Sequence, residues 1–408
     1  MASFDIALSG LTAASSDLDV TANNIANADT VGFKESRAEF ADVYAAGAVN
    51  LNTSQVGEGV RLSTNAQQFT QGNISTSGSN LDIAISGDGF FTLQQPGGGV
   101  VYTRNGQFSE DKNGNVVTAT GELLQVYPPT STGGFNTGAL TNLNLQTAQS
   151  TPAATTAGTA ILNLPAGSTP PTGGAFDPTN PATYTQSTST TVYDSLGNSY
   201  PATFFFTATA TPGLWNVNMT VNGTQLPTTN TLQFNNAGAV TAPVGGGLNF
   251  PGFTPPDGAA AMNMTFNFGQ STQFGGGFGV TSIVQNGFAT GQLSTVSIDP
   301  TGVISAVYTN GRSTQLGQLA LANFPDPQGL KQLGDTEWAQ TFASGTPVSG
   351  TAGSAGFGSV QSGALEASNV DLTTQLVNMI TAQRAFQANA QVITTANQES
   401  QTIINIGH

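Results

Sequence analysis

The sequence predicts a multidomain α+β fold, with long paired N- and C-terminal helices that resemble a coiled coil and two mainly antiparallel β domains, the second inserted into the first. Three observations predict this fold. Both ends of the chain place residues of one face at alternating steps of four and three, the heptad spacing of packed helices. Short period-two segments separated by turns such as Asn-Gly fill the interior and predict hairpins. This hairpin pattern stops after residue 127 and resumes beyond the Gly-rich run at 275–279, which predicts an insertion.

The first predicted element is a helix that ends before Gly32. The stretch from Asn27 to Gly32 is rich in Asn, Asp and Gly, which favour helix ends and turns. Gly10 is the weak point of the helix because glycine lowers helix propensity. Its predicted seam residues are Phe4, Leu8, Leu11, Ser15, Leu18, Ala22 and Ile25.

The last predicted element is a longer helix, and its heptad face is expected to pair with that of the first. At about 1.5 Å per residue it is roughly 50 Å long. Its seam residues are Leu372, Leu376, Met379, Gln383, Phe386, Ala390, Ile393, Asn397, Ser400 and Ile404. Beyond Asn369 only Asp371, Arg384 and Glu399 carry a formal charge, whereas solvated coiled coils usually carry Glu and Lys at flanking positions. Periodicity alone favours a helical pair that closes an ordinary domain, whereas the uncharged faces favour contact with further copies of the chain.

The segment after the first helix is predicted to link rather than to form a core. Phe33 to Tyr44 has the apolar spacing of a short amphipathic helix, and 45–79 is rich in Gly, Asn, Ser and Thr. We expect extended structure with little regular content in 45–79. The predicted domains are 1–32 with 364–408 (terminal helices), 33–76 (linking segment), 77–145 with 285–363 (discontinuous β domain) and 146–284 (inserted outer β domain).

The β domains are predicted from alternation of apolar and polar residues. Leu81, Ile83 and Ile85 begin the first domain, whereas 128–181 is a Pro-, Thr-, Gly- and Ala-rich mixture with few strand signals. Two clear strands in the inserted domain alternate Trp215, Val217, Met219 and Val221, and Met262, Met264, Phe266 and Phe268, with polar residues. Phe204, Phe205, Phe206 and Trp215 are interpreted as core, with an exposed glycan-binding strip as the alternative.

Composition excludes several classes of function. Lys and Arg total 8 against 23 Asp and Glu, which gives a net charge of −15. Binding to nucleic acid requires clustered basic residues, so neither nucleic acid nor anionic membrane is an expected partner. The chain has no Cys and therefore no disulfide or thiolate metal site. No cleaved secretory signal is evident, so a protein that works outside the cell needs another export route.

Catalytic chemistry is not expected. The sole His is His408, which argues against a Ser-His-Asp arrangement or a multi-His metal site. Asp111 to Glu122 has the oxygen spacing of a Ca²⁺-binding loop, but Val116 stands where that loop requires Gly. We interpret it as a hairpin turn, and we expect no enzyme activity, no cofactor and no metal.

Two motifs at opposite ends of the chain resemble the signatures of bacterial flagellar axial proteins, the family of rod and hook subunits. The first motif comprises Asn23, Asn24, Ile25, Asn27, Gly32 and Phe33, with Lys34 following it. The second comprises Asn369, Val370, Asp371, Gln383, Arg384, Gln387 and Asn389, and Leu365-Glu366 precedes it. Gln375 stands where relatives often have Glu.

The interior distinguishes among members of this family. Ile85 to Phe91, with Tyr102-Thr103-Arg104-Asn105-Gly106, is similar to the β domain shared by hook and distal rod proteins. Val192 to Asn198, followed by Phe204 and Trp215, resembles the additional outer domain of hook proteins. A distal rod protein is the second choice because it usually lacks that domain, and a monomeric secreted adhesin or glycan-binding module is a third.

The resemblance implies a structural subunit of the flagellar hook, the flexible curved tube that acts as a universal joint and transmits motor torque from rod to filament. It implies a homo-oligomer of many copies, exported by the flagellar type III apparatus and located outside the cell. Its implied partners are the distal rod protein, the hook cap, the hook-filament junction proteins and the export apparatus. The large apolar seam residues of both helices are the expected assembly surface.

Overall fold

The computed structural model describes residues 2–44, 57–145 and 149–406, and within these ranges the side chains of residues 4–402. Helix α1 spans Ala2–Ala26 and helix α2 spans Leu372–Ile406. The two helices pack against each other, which confirms the predicted pairing of the chain ends. Among the described residues, no helix is both long and apolar enough to cross a membrane.

Both helices have clear local boundaries. The Asp371 carboxylate caps α2, because its Oδ1 accepts hydrogen bonds from the backbone N–H groups of Thr373 (2.8 Å) and Thr374 (3.1 Å). Its negative charge also favours this end of the helix dipole. Beyond α1 the chain turns at Gly32, whose φ of 71° is readily accessible only to glycine.

The strands follow one another in three stretches of sequence. Those before residue 146 are β1 (Ser36–Asp42), β2 (Val60–Gln67), β3 (Ile74–Thr76), β4 (Ile83–Ser86), β5 (Phe90–Gln94), β6 (Val100–Thr103), β7 (Ser109–Glu110), β8 (Val116–Val117), β9 (Leu123–Tyr127) and β10 (Thr141–Asn142). Next come β11 (Gln149–Ser150), β12 (Ala157–Pro165), β13 (Gln186–Tyr193), β14 (Ser199–Ala208), β15 (Leu214–Val221), β16 (Thr224–Gln225), β17 (Asn230–Phe234), β18 (Val240–Ala242), β19 (Gly247–Phe253), β20 (Met262–Asn267), β21 (Thr272–Phe274) and β22 (Gly279–Gln285). The last are β23 (Gly291–Ile298), β24 (Val303–Tyr308), β25 (Ser313–Asn323), β26 (Lys331–Gly334), β27 (Glu337–Ala339), β28 (Val348–Thr351), β29 (Ser359–Ser362) and β30 (Ala364–Glu366). Single 3₁₀ turns lie at Pro181–Thr183, Val244–Gly246 and Pro327–Gly329.

The chain forms two compact units. The first unit comprises Met1–Gln146, Thr295–Val307 and Ser313–His408, and it contains both helices. Its main sheet includes the strand order β24-β25-β9-β5-β6-β27-β26, with antiparallel neighbours. The pairs β1-β2, β3-β30 and β4-β29 form three small antiparallel sheets.

An aromatic cluster fills part of the core of the first unit. Its buried members are Phe90, Tyr102, Ala322, Phe324 and Trp338. The ring of Phe90 makes edge-to-face contacts with Phe324 and Trp338 at centroid distances of 5.9 and 5.6 Å, a favourable aromatic geometry.

The second unit comprises Thr147–Ser294 and Tyr308–Arg312. One sheet has the order β13-β14-β15-β17-β18, and the other has the order β19-β20-β12-β21 with β22 also paired to β12. Strand β12 runs parallel to β20 and β21 but antiparallel to β22, so this unit is mainly antiparallel. Side chains from both sheets share one apolar core.

The predicted strands of the second unit are confirmed. The four apolar residues predicted to face inward from β15, and the four predicted from β20 and the residue after it, are all buried. Phe204, Phe206 and Trp215 are buried in this core as well, which confirms their interpretation. Phe205 is buried on the other face of β14, against Phe176 and Tyr184. The ring of Phe204 contacts three other rings, those of Phe250, Phe266 and Phe268.

The helix predicted for Phe33 to Tyr44 is wrong. The structure has strand β1 there, paired with β2 from Ser36↔Gln67 to Asp42↔Val60. A pairing partner from a distant part of the sequence overrides a weak local preference. Strands β2 and β3 also lie in the stretch from 45 to 79 that was expected to lack regular structure, although residues 45–56 lie outside the described residues.

The expectation of little strand structure in 128–181 is also wrong. It contains β10, β11 and β12, and β12 places Ala160, Leu162 and Leu164 in the core of the second unit. The three alternate with half-exposed residues in the period-two pattern of a strand. The domain boundaries predicted from the sequence stay a prediction.

Candidate assembly site

The two terminal helices meet through small side chains. Ala7, Ala14 and Thr21 are buried on α1 at intervals of seven residues, and Ala382 is buried on α2. A Cβ atom added to Gly10 would lie 2.7 Å from Asn389 Oδ1, closer than real contacts allow. Small residues therefore allow a close approach of the helices at these positions, and a side chain at position 10 would require Asn389 to shift.

The predicted seam residues divide into two groups by exposure. Leu11, Leu18, Ile25, Met379, Phe386 and Ile393 are half-buried. Phe4, Leu8, Leu372 and Leu376 are exposed. The side chain of Ile404 lies outside the described side chains, as does His408. The half-buried residues of α1 lie on the same helical stripe as Ala7, Ala14 and Thr21. Within the single chain, the helix pair thus covers part of the predicted seam and leaves the four exposed residues open.

Helix α2 carries further exposed apolar residues that the sequence reasoning missed. Val377, Ile380 and Val392 are 57%, 50% and 48% exposed, beside Leu376 at 51%. Leu372, Leu376 and Ile380 are four residues apart, so they form one stripe along the helix. We call Leu372, Leu376, Val377 and Ile380 the exposed helix face. That four-residue spacing was the sequence signal for a second apolar stripe.

A groove lies between α1 and the β1-β2 hairpin. It encloses about 400 Å³ and is lined by Asp5, Leu8, Ser9, Thr12, Ala13, Ser16, Val60, Arg61 and Leu62. The Ser9 hydroxyl fixes the hairpin to the helix, since its Oγ accepts a hydrogen bond from Val60 N at 3.2 Å. Leu8 therefore lines this groove and is exposed in it.

Asn24 of the first motif connects α1 to the strand that follows it. Its side-chain amide donates to Ser36 O at 2.7 Å and accepts from Ser36 N at 2.9 Å. It also donates to Gln375 Oε1 at 3.2 Å, and Gln375 in turn donates to Glu35 Oε1 at 2.9 Å. Buried amides that satisfy each other in this way specify one arrangement of the chain. Glutamine at position 375 therefore bridges two polar partners.

Asn369 of the second motif performs the same task at the start of α2. Its Oδ1 accepts from Glu35 N at 2.7 Å, and its Nδ2 donates to Gln68 O at 2.7 Å and to Thr70 Oγ1 at 2.9 Å. A side chain two residues before the helix cap thus holds two other segments. Both helices are connected to the same strand-forming region by amide side chains.

The other motif residues have local or surface positions. Asn27 donates to Asn23 O at 2.9 Å and accepts from Thr30 Oγ1, which ends α1. Phe33 is buried. Val370 is half-buried, and Gln383, Arg384 and Gln387 are exposed on α2.

Lys34, Arg104 and Glu366 are charged residues that were not predicted as site residues. All three are buried, in segments outside the two helices. Lys34 Nζ lies 2.6 Å from Glu366 Oε1, and Arg104 Nη1 lies 3.4 Å from Glu366 Oε2. Burial lowers the pKa of the Lys34 ammonium, and Glu366 offsets part of that shift. The chain has 8 Lys and Arg in all. The sequence signal that could have indicated a buried cation was Lys34 directly after the apolar Phe33.

Family models match the chain in four places. They are the flagella basal body rod protein (residues 4–34), the flagellar hook protein FlgE/F/G D1 domain (84–159), the flagellar basal body protein FlaE D2 domain (163–288) and the flagellar basal body rod FlgEFG protein C-terminal region (361–406). The flagellar hook protein FlgE of Salmonella typhimurium is 40% identical over 99% of this chain and 100% of its own length. The chain belongs to the flagellar hook protein family.

Other hook proteins match over similar lengths. The hook protein of Escherichia coli is 38% identical over 99% of both chains, and that of Borreliella burgdorferi is 33% identical over 98% of both. The crystal structure of Helicobacter pylori flagellar hook protein FlgE2 covers 72% of this chain and 100% of its own, with a TM-score of 0.52 and 14% identity. That structure supports the fold of the hook-family chain.

The hook family is a structural one, and the Asp111 carboxylate has structural partners. Asp111 Oδ1 accepts from Asn113 N and Asn115 N at 2.7 and 2.8 Å, so the loop with calcium-like spacing is a capped turn, as interpreted from the sequence.

Glu122 and Glu337 form a converging carboxylate pair that the sequence did not reveal. Both are less than 10% exposed. Burial raises the pKa of Glu337, and the neighbouring Glu122 raises it further, to about 7. Burial alone would raise the pKa of Glu122, but hydrogen bonds from Thr118 and Thr120 lower it overall. The pair is enclosed by its own strand and loop neighbours, and we interpret it as internal.

Proposed function

We propose that this chain is a structural subunit of the bacterial flagellar hook, which self-assembles into a flexible curved tube and transmits torque from rod to filament. The observation that carries the proposal is the exposed helix face of a chain in the hook family. Its large apolar residues are about half exposed in the single chain. Exposed patches of this kind on a soluble chain mark interaction sites.

The assembly surface in this proposal is the predicted seam together with the exposed helix face. Complete burial of a Leu, Ile or Phe side chain contributes roughly 1.5–3 kcal/mol. Burial of the exposed fractions of several such residues by neighbouring copies therefore offsets the loss of freedom on association. The buried side of the helix pair holds the two helices together, while its exposed side contacts other subunits.

Bending of the tube requires contacts that slide without the loss of strong ion pairs. From Asn113 through Gly311 the chain has no Lys or Arg, so the second unit offers no cationic partner along that stretch. We infer that its Thr-, Asn- and Gly-rich surface makes weak, interchangeable contacts between subunits. This property suits a universal joint.

The proposed location is outside the cell, after export by the flagellar type III apparatus without a cleaved signal. The proposed partners are further copies of the chain, the distal rod protein, the hook cap and the hook-filament junction proteins. The match of residues 163–288 to a D2 domain supports a hook subunit over a distal rod subunit, because all but the last four residues of that range fall in the predicted insertion.

The test places a charge on the exposed helix face. In bacteria that lack their own hook protein, we expect Leu376→Asp to abolish hooks and swimming, because a carboxylate cannot be buried without a partner. Asn378→Asp is the matched control, since Asn378 is exposed and lies on the other side of α2 from Leu376. Circular dichroism of both purified variants checks that the β units remain folded. Normal hooks built from Leu376→Asp would refute the proposed surface.

A further inference from the structure

The carboxylate of Glu366 is a point at which four segments of the first unit meet. Glu366 ends β30, six residues before α2 begins. Its Oε1 accepts from Lys34 Nζ at 2.6 Å and from Gly72 N at 2.9 Å. Its Oε2 accepts from Arg104 Nη1 at 3.4 Å. The Glu366 side chain therefore links its own segment before α2 to three others: the segment after α1, the segment before β3 and the segment after β6.

Backbone contacts strengthen the same junction. Glu366 O accepts a hydrogen bond from Gly32 N at 2.8 Å. A Cβ atom added to Gly32 would lie 2.5 Å from Asn105 N, so the segment after α1 lies directly against the chain beside Arg104. Lys34 Nζ also donates to Thr70 O, and Arg104 Nη1 donates to Gly87 O at 2.9 Å. These bonds leave little freedom for the chain at the base of either helix.

The cluster of Lys34, Glu366 and Arg104 is expected to contribute little net stability to the fold. The side chains of Lys34 and Glu366 are 0% exposed and that of Arg104 is 4% exposed, so three charges have lost their hydration. Two cations contact one carboxylate, although Asp88 also attracts Arg104. Within the described part of the chain Arg104 Nε has no hydrogen-bond partner. Apolar residues of similar volume often stabilise a fold as well as a buried ion pair does. Ion pairs instead favour a single geometry.

We propose that Lys34, Glu366 and Arg104 are positioning residues that fix the direction in which both terminal helices leave the β strands of the first unit. In the assembled hook, a displacement of the helices then carries these strands with it. This consequence rests on the proposed function, whereas the fixed direction is a property of the chain alone. The hydrogen bonds of the Asn24 and Asn369 side-chain amides also connect the helices to this region.

The test measures the direction of α2 in the purified full-length chain. Because the chain has no Cys, Asn378→Cys on α2 and Lys331→Cys on β26 provide two spin-label sites, both exposed. Lys34→Met is the test variant, since it leaves Glu366 and Arg104 as a neutral pair and is expected to fold. Arg37→Met is the matched control, because it removes the exposed Arg37–Glu39 ion pair.

We expect a narrow distribution of distances between the labels in the unmodified background and in Arg37→Met. In Lys34→Met we expect the distribution to widen at least twofold, while the urea midpoint of the β strands stays unchanged. A distribution in Lys34→Met as narrow as in the control contradicts the proposal. A broad distribution in the unmodified background contradicts it too. Restored swimming by the unmodified chain in cells lacking a hook protein tests the hook function separately.

Discussion

The two compact units use different means to hold their structure. The second unit has an aromatic core in which Phe204 contacts three other rings. The first unit buries Lys34, Arg104, Glu366, Glu122 and Glu337, and its helices meet through Ala, Gly and Thr. Burial of apolar area stabilises a fold without a fixed direction, whereas buried polar contacts specify geometry. The second unit is therefore stabilised by its own core, whereas the first is organised to position helices with exposed apolar residues.

The largest effect is expected in the aromatic core of the second unit. Phe204→Ala removes a side chain that is 0% exposed, and such changes cost about 3–5 kcal/mol. Urea unfolding followed with a probe in the second unit measures this loss. Phe274→Ala is the control, because Phe274 is 53% exposed and we expect its loss to be below about 1 kcal/mol. Equal losses of unfolding free energy in the two variants would contradict the conclusion that the buried core stabilises the second unit.

A smaller, pH-dependent effect is expected in the first unit. The pKa of Glu337 is raised from its ordinary value of 4.5 to about 7, so the folded chain retains a proton that the unfolded chain releases between these values. Stability therefore falls as the pH rises from about 4.5 to about 7 and is then constant. We expect Glu337→Gln to remove this loss and to stabilise the first unit on the order of 2 kcal/mol at pH 8.

The measurement is the unfolding midpoint of the first unit at pH 5 and at pH 8. The gain from Glu337→Gln is expected to be larger at pH 8. Glu110→Gln is the control, because Glu110 is exposed on β7, and its effect is expected to be similar at both pH values. A gain that does not change with pH would show that the pair does not share a proton.

Much of the architecture was available from the sequence because its signals are local. The heptad steps at the two ends predicted both helices, and the alternation around Trp215 and Met264 predicted strands whose apolar faces are buried. Strand β1 was missed because it depends on β2, which begins at Val60. Strand β12 was missed because a Pro- and Thr-rich composition concealed the alternation of Ala160, Leu162 and Leu164.

The site was less predictable than the fold. Apolar periodicity identifies large residues on a helix, but it does not distinguish a face that packs within the chain from one that packs between chains. The seam around Ala7 and Ala14 consists of small residues, which give a weak hydrophobic signal. Lys34 and Glu366 are separated by 332 positions, and no spacing rule connects residues so far apart. The predicted seam as an assembly surface stays a prediction.

The proposed contact between subunits is tested most directly by measuring whether the exposed helix face becomes covered on assembly. Val377→Cys gives a chain with one thiol at a position that is 57% exposed. We expect a water-soluble maleimide to label this thiol in the free chain, and the rate to fall at least tenfold in assembled hooks, because neighbouring copies cover the face. Equal labelling rates in free chains and assembled hooks would contradict the central claim that this face is the contact between subunits.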